Sequence, residues 1–275
     1  MFGRIVEKLR RSYRRRGIHG TVRFAFDKLT QPLLELTPSR RKSRQLKEQQ
    51  DREFDERYNV DTGGIIQLNK LSIPGSTWEC GAPYWAIEPE LFARLVGEPA
   101  ISHRDFTFID FGSGKGRALL LASEFPFKKV IGVEFSPELH EIAQRNIRTF
   151  RSERQQCREI ELVCTDALQY PLPDGPGVYY FFNPFVKEIM EGVVARIERS
   201  YRERPREIYV LYANALFGEV WDRASSFRKI AATGEYTIYQ TARHQQAQAL
   251  RRIEFDVASP PHAPRRNRTP SELSI

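Results

Sequence analysis

Cysteine and histidine are scarce in this chain, and long apolar runs are missing. The three cysteines, Cys80, Cys157 and Cys164, form no close pair of the kind that holds a metal. They suit a reducing compartment, so a cytoplasmic location is expected. The five histidines, His19, His103, His140, His244 and His262, are scattered and form no His-x-x-x-His pair. No metal is expected. No stretch approaches the roughly 20 apolar residues of a membrane helix. No signal-peptide apolar stretch follows the basic N-terminus. The expectation is a soluble protein without a transmembrane segment. Its 275 residues, 40% of them apolar, can build one sizeable core with an extension. Nothing in the sequence specifies an oligomeric state.

Charge is unevenly spread. Residues 1–50 hold 14 Lys and Arg against 4 Asp and Glu, whereas the other 225 residues hold 29 against 31. The excess is densest in "RRSYRRR" at 10–16 and "SRRKSR" at 39–44. Such blocks attract phosphate or anionic lipid without reading a sequence. They also occur simply as solvated arms. A weak polyanion contact, to nucleic acid or an anionic surface, is therefore assigned to residues 1–50.

The chain divides by rhythm. Residues 1–50 read as a basic extension in which only 21–37 has enough apolar residues to pack, with Pro32 interrupting it. Residues 51–104 read as a helical and loop segment suited to a lid. Its loops carry Gly63-Gly64, Pro74-Gly75 and Gly81-Ala82-Pro83, and a helix is expected over 88–98. From 105 to 258, short apolar strands alternate with helices. Strands are expected at 106–111, 129–135, 159–166, 177–183 and 206–213. This alternation implies crossover units and a mostly parallel sheet covered on both faces, an α/β doubly wound fold. The segments at 227–243 and 249–259 have no helix between them and read as an antiparallel edge. Residues 259–275 are rich in proline and arginine and are expected to be disordered.

The strongest motif is "FIDFGSGKGR" at 108–117. Asp110, Gly112, Gly114 and Gly116 alternate between a strand and a helix. Glycines let a backbone turn tightly and approach a ligand, and the helix start offers free N–H groups. A Walker phosphate loop is excluded, because its first glycine would fall at Ile109 and Gly116 stands where Ser or Thr is required. A dinucleotide loop needs G-x-G-x-x-G, and here the third glycine comes one position early. An NAD-dependent oxidoreductase is thus the weaker enzyme reading.

Two further strand ends carry acids. Glu134 closes "KVIGVEF" and can accept from both hydroxyls of a ribose. Its plainer role would be to cap the helix beginning near Ser136. Asp166 follows the third strand and can accept from the exocyclic amine of adenine. A row of acids at Asp110, Glu134 and Asp166 suits a cationic ligand and poorly suits a pyrophosphate.

These residues resemble the class I S-adenosylmethionine-dependent methyltransferases. The resemblance rests on "FIDFGSGKGR", "VIGVE" at 130–134, "CTDA" at 164–167 and "FFNPF" at 181–185, and covers roughly residues 84–240. More closely, "DFGSGKGRALLLA" with "GVEFSPELHEIAQRN" is similar to uncharacterised bacterial members. It is distantly similar to seven-stranded protein-lysine methyltransferases. The resemblance implies a seven-stranded Rossmann-like sheet and S-adenosylmethionine as cofactor. It implies contacts to that cofactor from Asp110, Gly112, Ser113, Gly114, Gly116, Glu134 and Asp166. It places Asn183 beside the reactive methyl, with Phe185 as a wall of the acceptor site. Amine methyltransferases of this family often carry an Asn or Asp, then Pro-Pro and an aromatic; this chain has a single proline, Pro184. The acceptor is left as an unidentified protein amine or small molecule.

Asn183 is a candidate for catalysis and cofactor contact, and could at the same time cap the helix that follows. Tyr84 is a second catalytic candidate. Tyr84, Trp85 and Glu88 precede or open a helix that can close over the cofactor, and are assigned to substrate binding with Phe185. Trp78 is a further lid candidate. The stretch "YNVDTGG" at 58–64 reads as another lid loop, with no partner assignable to Asp61 or Thr62. A non-catalytic cofactor- or nucleic-acid-binding adaptor is the remaining alternative.

Overall fold

The computed structural model describes residues 38–66 and 84–242, with side chains from 41 onward. Trp78, the block at 10–16, the segments 21–37 and 249–259 and the expected tail lie outside the described residues. Seven strands form one sheet: β1 Thr107–Phe111, β2 Lys129–Glu134, β3 Ile160–Cys164, β4 Gly177–Phe182, β5 Ile208–Ala213, β6 Phe227–Ala232 and β7 Tyr236–Thr241. Their order is β3-β2-β1-β4-β5-β7-β6. The first five pair in parallel, and β7 runs antiparallel between β5 and β6. The expected α/β doubly wound sheet with an antiparallel C-terminal edge is what forms.

The helices are α1 Pro38–Tyr58, α2 Pro89–Gly97, α3 Arg117–Ala122, α4 Pro137–Thr149, α5 Lys187–Glu203 and α6 Gly218–Asp222. Strand side chains alternate between the two faces. Tyr179 and Phe181 pack with Met190, Val193 and Ile197 of α5 and Trp221 of α6. Tyr180 belongs to the opposite cluster, with Phe92 and Leu95 of α2 and Leu119 of α3. The run "YYFF" is therefore two interleaved core faces. On α5 Met190, Val193, Val194, Ile197 and Tyr201 are buried, while Ile189 is only partly buried. Among the described residues, no helix is long and apolar enough to cross a membrane.

α1 runs unbroken across residue 50, the expected end of the basic extension. It carries few apolar residues, yet Phe54 lies in the core beside α2 and α3. Ionic contacts, described below, explain how so polar a helix is held.

Candidate active site

Parallel register brings the carboxyl ends of β1, β2 and β4 level, which is where open α/β sheets bind ligands. Asp110 pairs with Gly132 on one side and Tyr180 on the other. Beyond β1 the chain must turn sharply into α3. Gly112, at φ +88°, makes that turn. A Cβ there would meet Pro184 at 2.5 Å, so the glycine loop and the Asn183-Pro184 turn are in direct contact. Gly114, at φ +53°, is covered by the ring of Tyr84, and a Cβ there would lie 2.3 Å from the ring.

Glu134 organises the loop. One oxygen accepts from the Gly114 amide at 2.8 Å and the other from the Ser136 amide at 2.8 Å. Ser136 itself caps α4 by accepting from the Leu139 amide. The carboxylate therefore reaches across to the glycine loop as well as into the start of the helix. Burial raises the Glu134 carboxyl above its ordinary range, although the Ser136 and Gly114 amides oppose the shift. Burial, with the charge of Glu134 nearby, raises Asp110 well above its ordinary range.

One cavity collects Tyr84, Trp85, Asp110, Gly112, Ser113, Gly114, Glu134, Asn183 and Phe185. Three of its polar atoms are buried without a hydrogen-bond partner: Ser113 Oγ, Tyr180 OH and Asn183 Oδ1. Such atoms are costly in a folded protein unless a ligand or water satisfies them. Tyr180 was not among the residues expected at the site. Strand alternation could have found it, since it lies on the same face as Asp110. Burial raises its phenol well above the ordinary range, so it stays protonated and able to donate.

Asn183 does not cap the following helix. The N-cap of α5 is Val186, and no side chain bonds there. Asn183 instead sits at φ +43°, a conformation that asparagine tolerates better than most residues, and turns the chain into the cavity. Phe185 is buried against Phe181, with ring centres 6.4 Å apart. Trp85 is half exposed, with the Lys47 ammonium 5.8 Å from its ring centre.

Three expected residues stand apart from this cavity's lining. Glu88 is exposed, at 4.0 Å from Lys47, just before α2. Gly116 begins α3 and packs against Ala143 of α4. Asp166 accepts from the Leu168 amide at 2.8 Å and shapes the turn after β3. It adjoins Thr165, whose amide bonds the Glu134 carbonyl.

The raised acids make a pH prediction. A carboxyl whose folded pKa exceeds its unfolded value contributes stability below the unfolded pKa, and that contribution is lost as pH rises through the folded pKa. Asp110→Asn fixes the neutral form. Its thermal midpoint, measured against the parent protein, should become relatively higher as pH rises from about 5 to about 8. A difference that stays flat over that range would contradict the raised Asp110 pKa.

Residues 108–203 match a family model described as a methyltransferase domain. No curated protein matches the sequence. Among solved structures, the chain is similar to a predicted N6-adenine-specific DNA methylase from Listeria monocytogenes, at 18% identity and TM-score 0.43. That match covers 64% of this chain and 54% of the other, so the chain spans about half that protein's length. A TehB-like SAM-dependent methyltransferase from Corynebacterium glutamicum matches at 15% identity and TM-score 0.40, covering 57% of this chain and 88% of that one. An RNA methyltransferase from Salinibacter ruber, in complex with S-adenosyl-L-homocysteine, matches at 15% identity and TM-score 0.38, covering 57% and 92%. The sheet is a Rossmann-like α/β sheet of seven strands, and the methyltransferase-domain match lies within it, from β1 through α5.

Proposed function

We propose that this chain binds S-adenosylmethionine and transfers its methyl group directly, in line, to a protein amine or a small molecule. The observation that carries the reading is the set of orphaned polar atoms, Ser113 Oγ, Tyr180 OH and Asn183 Oδ1, in one cavity with Asp110 and Glu134. These residues fit a ligand that is cationic and rich in hydroxyls. The bound cofactor would supply an electrophilic methyl on a sulfonium.

The chain's own residues hold and align. Glu134 would accept from the ribose hydroxyls, and the glycine loop from Gly112 to Gly116, with Ser113 and Asp110, would support the amino-acid end. Asp166 is kept for the adenine amine because it lies one residue beyond the contact between β3 and Glu134. Phe185 and Trp85 wall the acceptor side, with Glu88 at its outer rim. Tyr84 serves as wall rather than base: its hydroxyl donates to the Thr62 carbonyl at 2.5 Å, and burial raises its phenol. Asn183 Oδ1 would accept from the N–H or O–H of the acceptor and set its line of attack.

The domain division belongs to the same proposal, with residues 105–258 as the cofactor domain, 51–104 as a lid and 1–50 as a basic extension. Arg41, Lys42 and Arg44 on the exposed side of α1 support a weak polyanion contact from that extension. A cytoplasmic site of action is likewise proposed.

Incubating the protein with methyl-labelled cofactor and cell lysate, then separating protein, RNA and metabolites, tests the transfer. Label should enter the protein or metabolite fraction. Asn183→Ala should slow labelling by roughly 10-fold or more, as expected for the loss of one positioned polar group. Equal labelling by the variant would remove Asn183 from the acceptor site.

A further inference from the structure

Asp61-Thr62-Gly63 is gripped from three sides. Lys115 Nζ donates to Asp61 Oδ1 at 2.6 Å and to the Gly63 carbonyl at 2.9 Å. Arg117 Nε donates to Thr62 Oγ1 at 2.7 Å. From α1, Asp55 accepts from the Thr62 hydroxyl at 2.6 Å and from the Gly63 amide at 2.7 Å. From α4, Asn146 Oδ1 accepts from the Asp61 amide at 2.8 Å, and Asn146 Nδ2 donates to the Asp61 carbonyl at 2.8 Å and to the Lys115 carbonyl at 2.9 Å. Two of the gripping side chains, Lys115 and Arg117, belong to the glycine motif itself.

The strap in turn holds Tyr84. The Thr62 carbonyl accepts the Tyr84 hydroxyl, and Ile66 and Tyr84 exchange backbone hydrogen bonds at 3.2 and 2.9 Å. The Tyr84 ring then covers Gly114, whose amide is bound to Glu134. A continuous chain of contacts runs from Asp61 through Thr62 and Tyr84 to the loop that faces the ligand.

We infer that Asp61, Thr62 and Lys115 are positioning residues that set cofactor affinity by holding Tyr84 over Gly114. This rests on the methyltransferase reading and adds to it a part of the site drawn from 52–54 residues earlier in the chain. The Tyr84 hydroxyl serves as a tether, so phenylalanine there keeps the wall and loses the tie.

The test uses the full chain with Tyr84→Phe, Asp61→Asn and the double variant. Calorimetry measures S-adenosylmethionine affinity, and hydrogen exchange follows residues 112–116 in ligand-free protein. Each single variant should weaken binding about 3- to 10-fold, with the double variant close to the weaker single, because both act through Thr62. Thermal midpoints should stay within a few degrees of the parent, which separates positioning from general loss of structure. Exchange at 112–116 should quicken in both singles. Unchanged exchange, unchanged affinity, or affinity losses that multiply independently would each overturn the inference. If the parent binds no cofactor while exchange quickens, the methyltransferase reading fails, and the strap's role in cofactor affinity fails with it. If the parent binds well and the variants match it, only the strap inference fails.

Discussion

Alanine at position 134 is expected to weaken S-adenosylmethionine binding by two to three orders of magnitude. The carboxylate is held rigidly by the Gly114 and Ser136 amides, each at 2.8 Å, and lines the cavity. Two ribose hydroxyls would donate to its remaining lone pairs. Hydrogen bonds to a charged group contribute about 1.5–3 kcal/mol each, so losing both costs about 3–6 kcal/mol. That is a factor of about 10² to 10⁴ in affinity, and the lower half of the range applies because water replaces part of the contact. Glutamine is not a mild replacement here. Its amide nitrogen would face either the Gly114 or the Ser136 N–H, donor against donor, so Glu134→Gln should also lose at least about 10-fold. Calorimetric affinities of the variants within 3-fold of the parent would remove Glu134 from the cofactor site.

Arg117→Met is expected to lower the thermal midpoint by about 6–20 °C. The guanidinium is buried and pairs with Asp51 at 2.5 Å and Asp55 at 3.3 Å, while lying over the Phe54 ring at 4.5 Å. Removing one partner of a buried ion pair leaves the other charge stranded, at a cost of about 3–5 kcal/mol. For a domain of this size each kcal/mol moves the midpoint by about 2–4 °C. Lys47, 3.8 Å from Asp51, softens the loss and favours the lower end. Because the pair is buried, added salt should barely change the difference. A fall under about 3 °C would mean that α1 is held by something other than this cluster.

The same cluster shows what the sequence could and could not reveal. The sheet was legible because its strands are apolar runs between turn signals, and the glycine loop because its residue types are so constrained. Glu134 was legible by its place at a strand end. The joining of α1 to the core was not. "LKEQQDREFDERY" shows little apolar periodicity, and its main ties are charges whose partners lie 62 and 66 residues away. No periodic pattern encodes such a pairing. Asp61 and Thr62 were opaque for the same reason: their partners, Lys115, Arg117 and Asn146, read as loop and helix residues with work of their own. Asn183 was legible as a residue of interest but ambiguous in role. Its left-handed backbone decides against the cap, and backbone angle is not written in "FFNPF". Asp166 was read from its place after the third strand and Glu88 from its place at the start of the lid helix, and a local hydrogen bond and an ion pair, rather than the cavity, account for where their carboxylates lie.

The most direct measurement is a calorimetric titration of the intact protein with S-adenosylmethionine, alongside S-adenosylhomocysteine and NAD. Saturable one-to-one binding of both sulfur ligands below millimolar concentration, with none of NAD, is the predicted result. Binding of NAD alone, or of none of the three, would contradict the account.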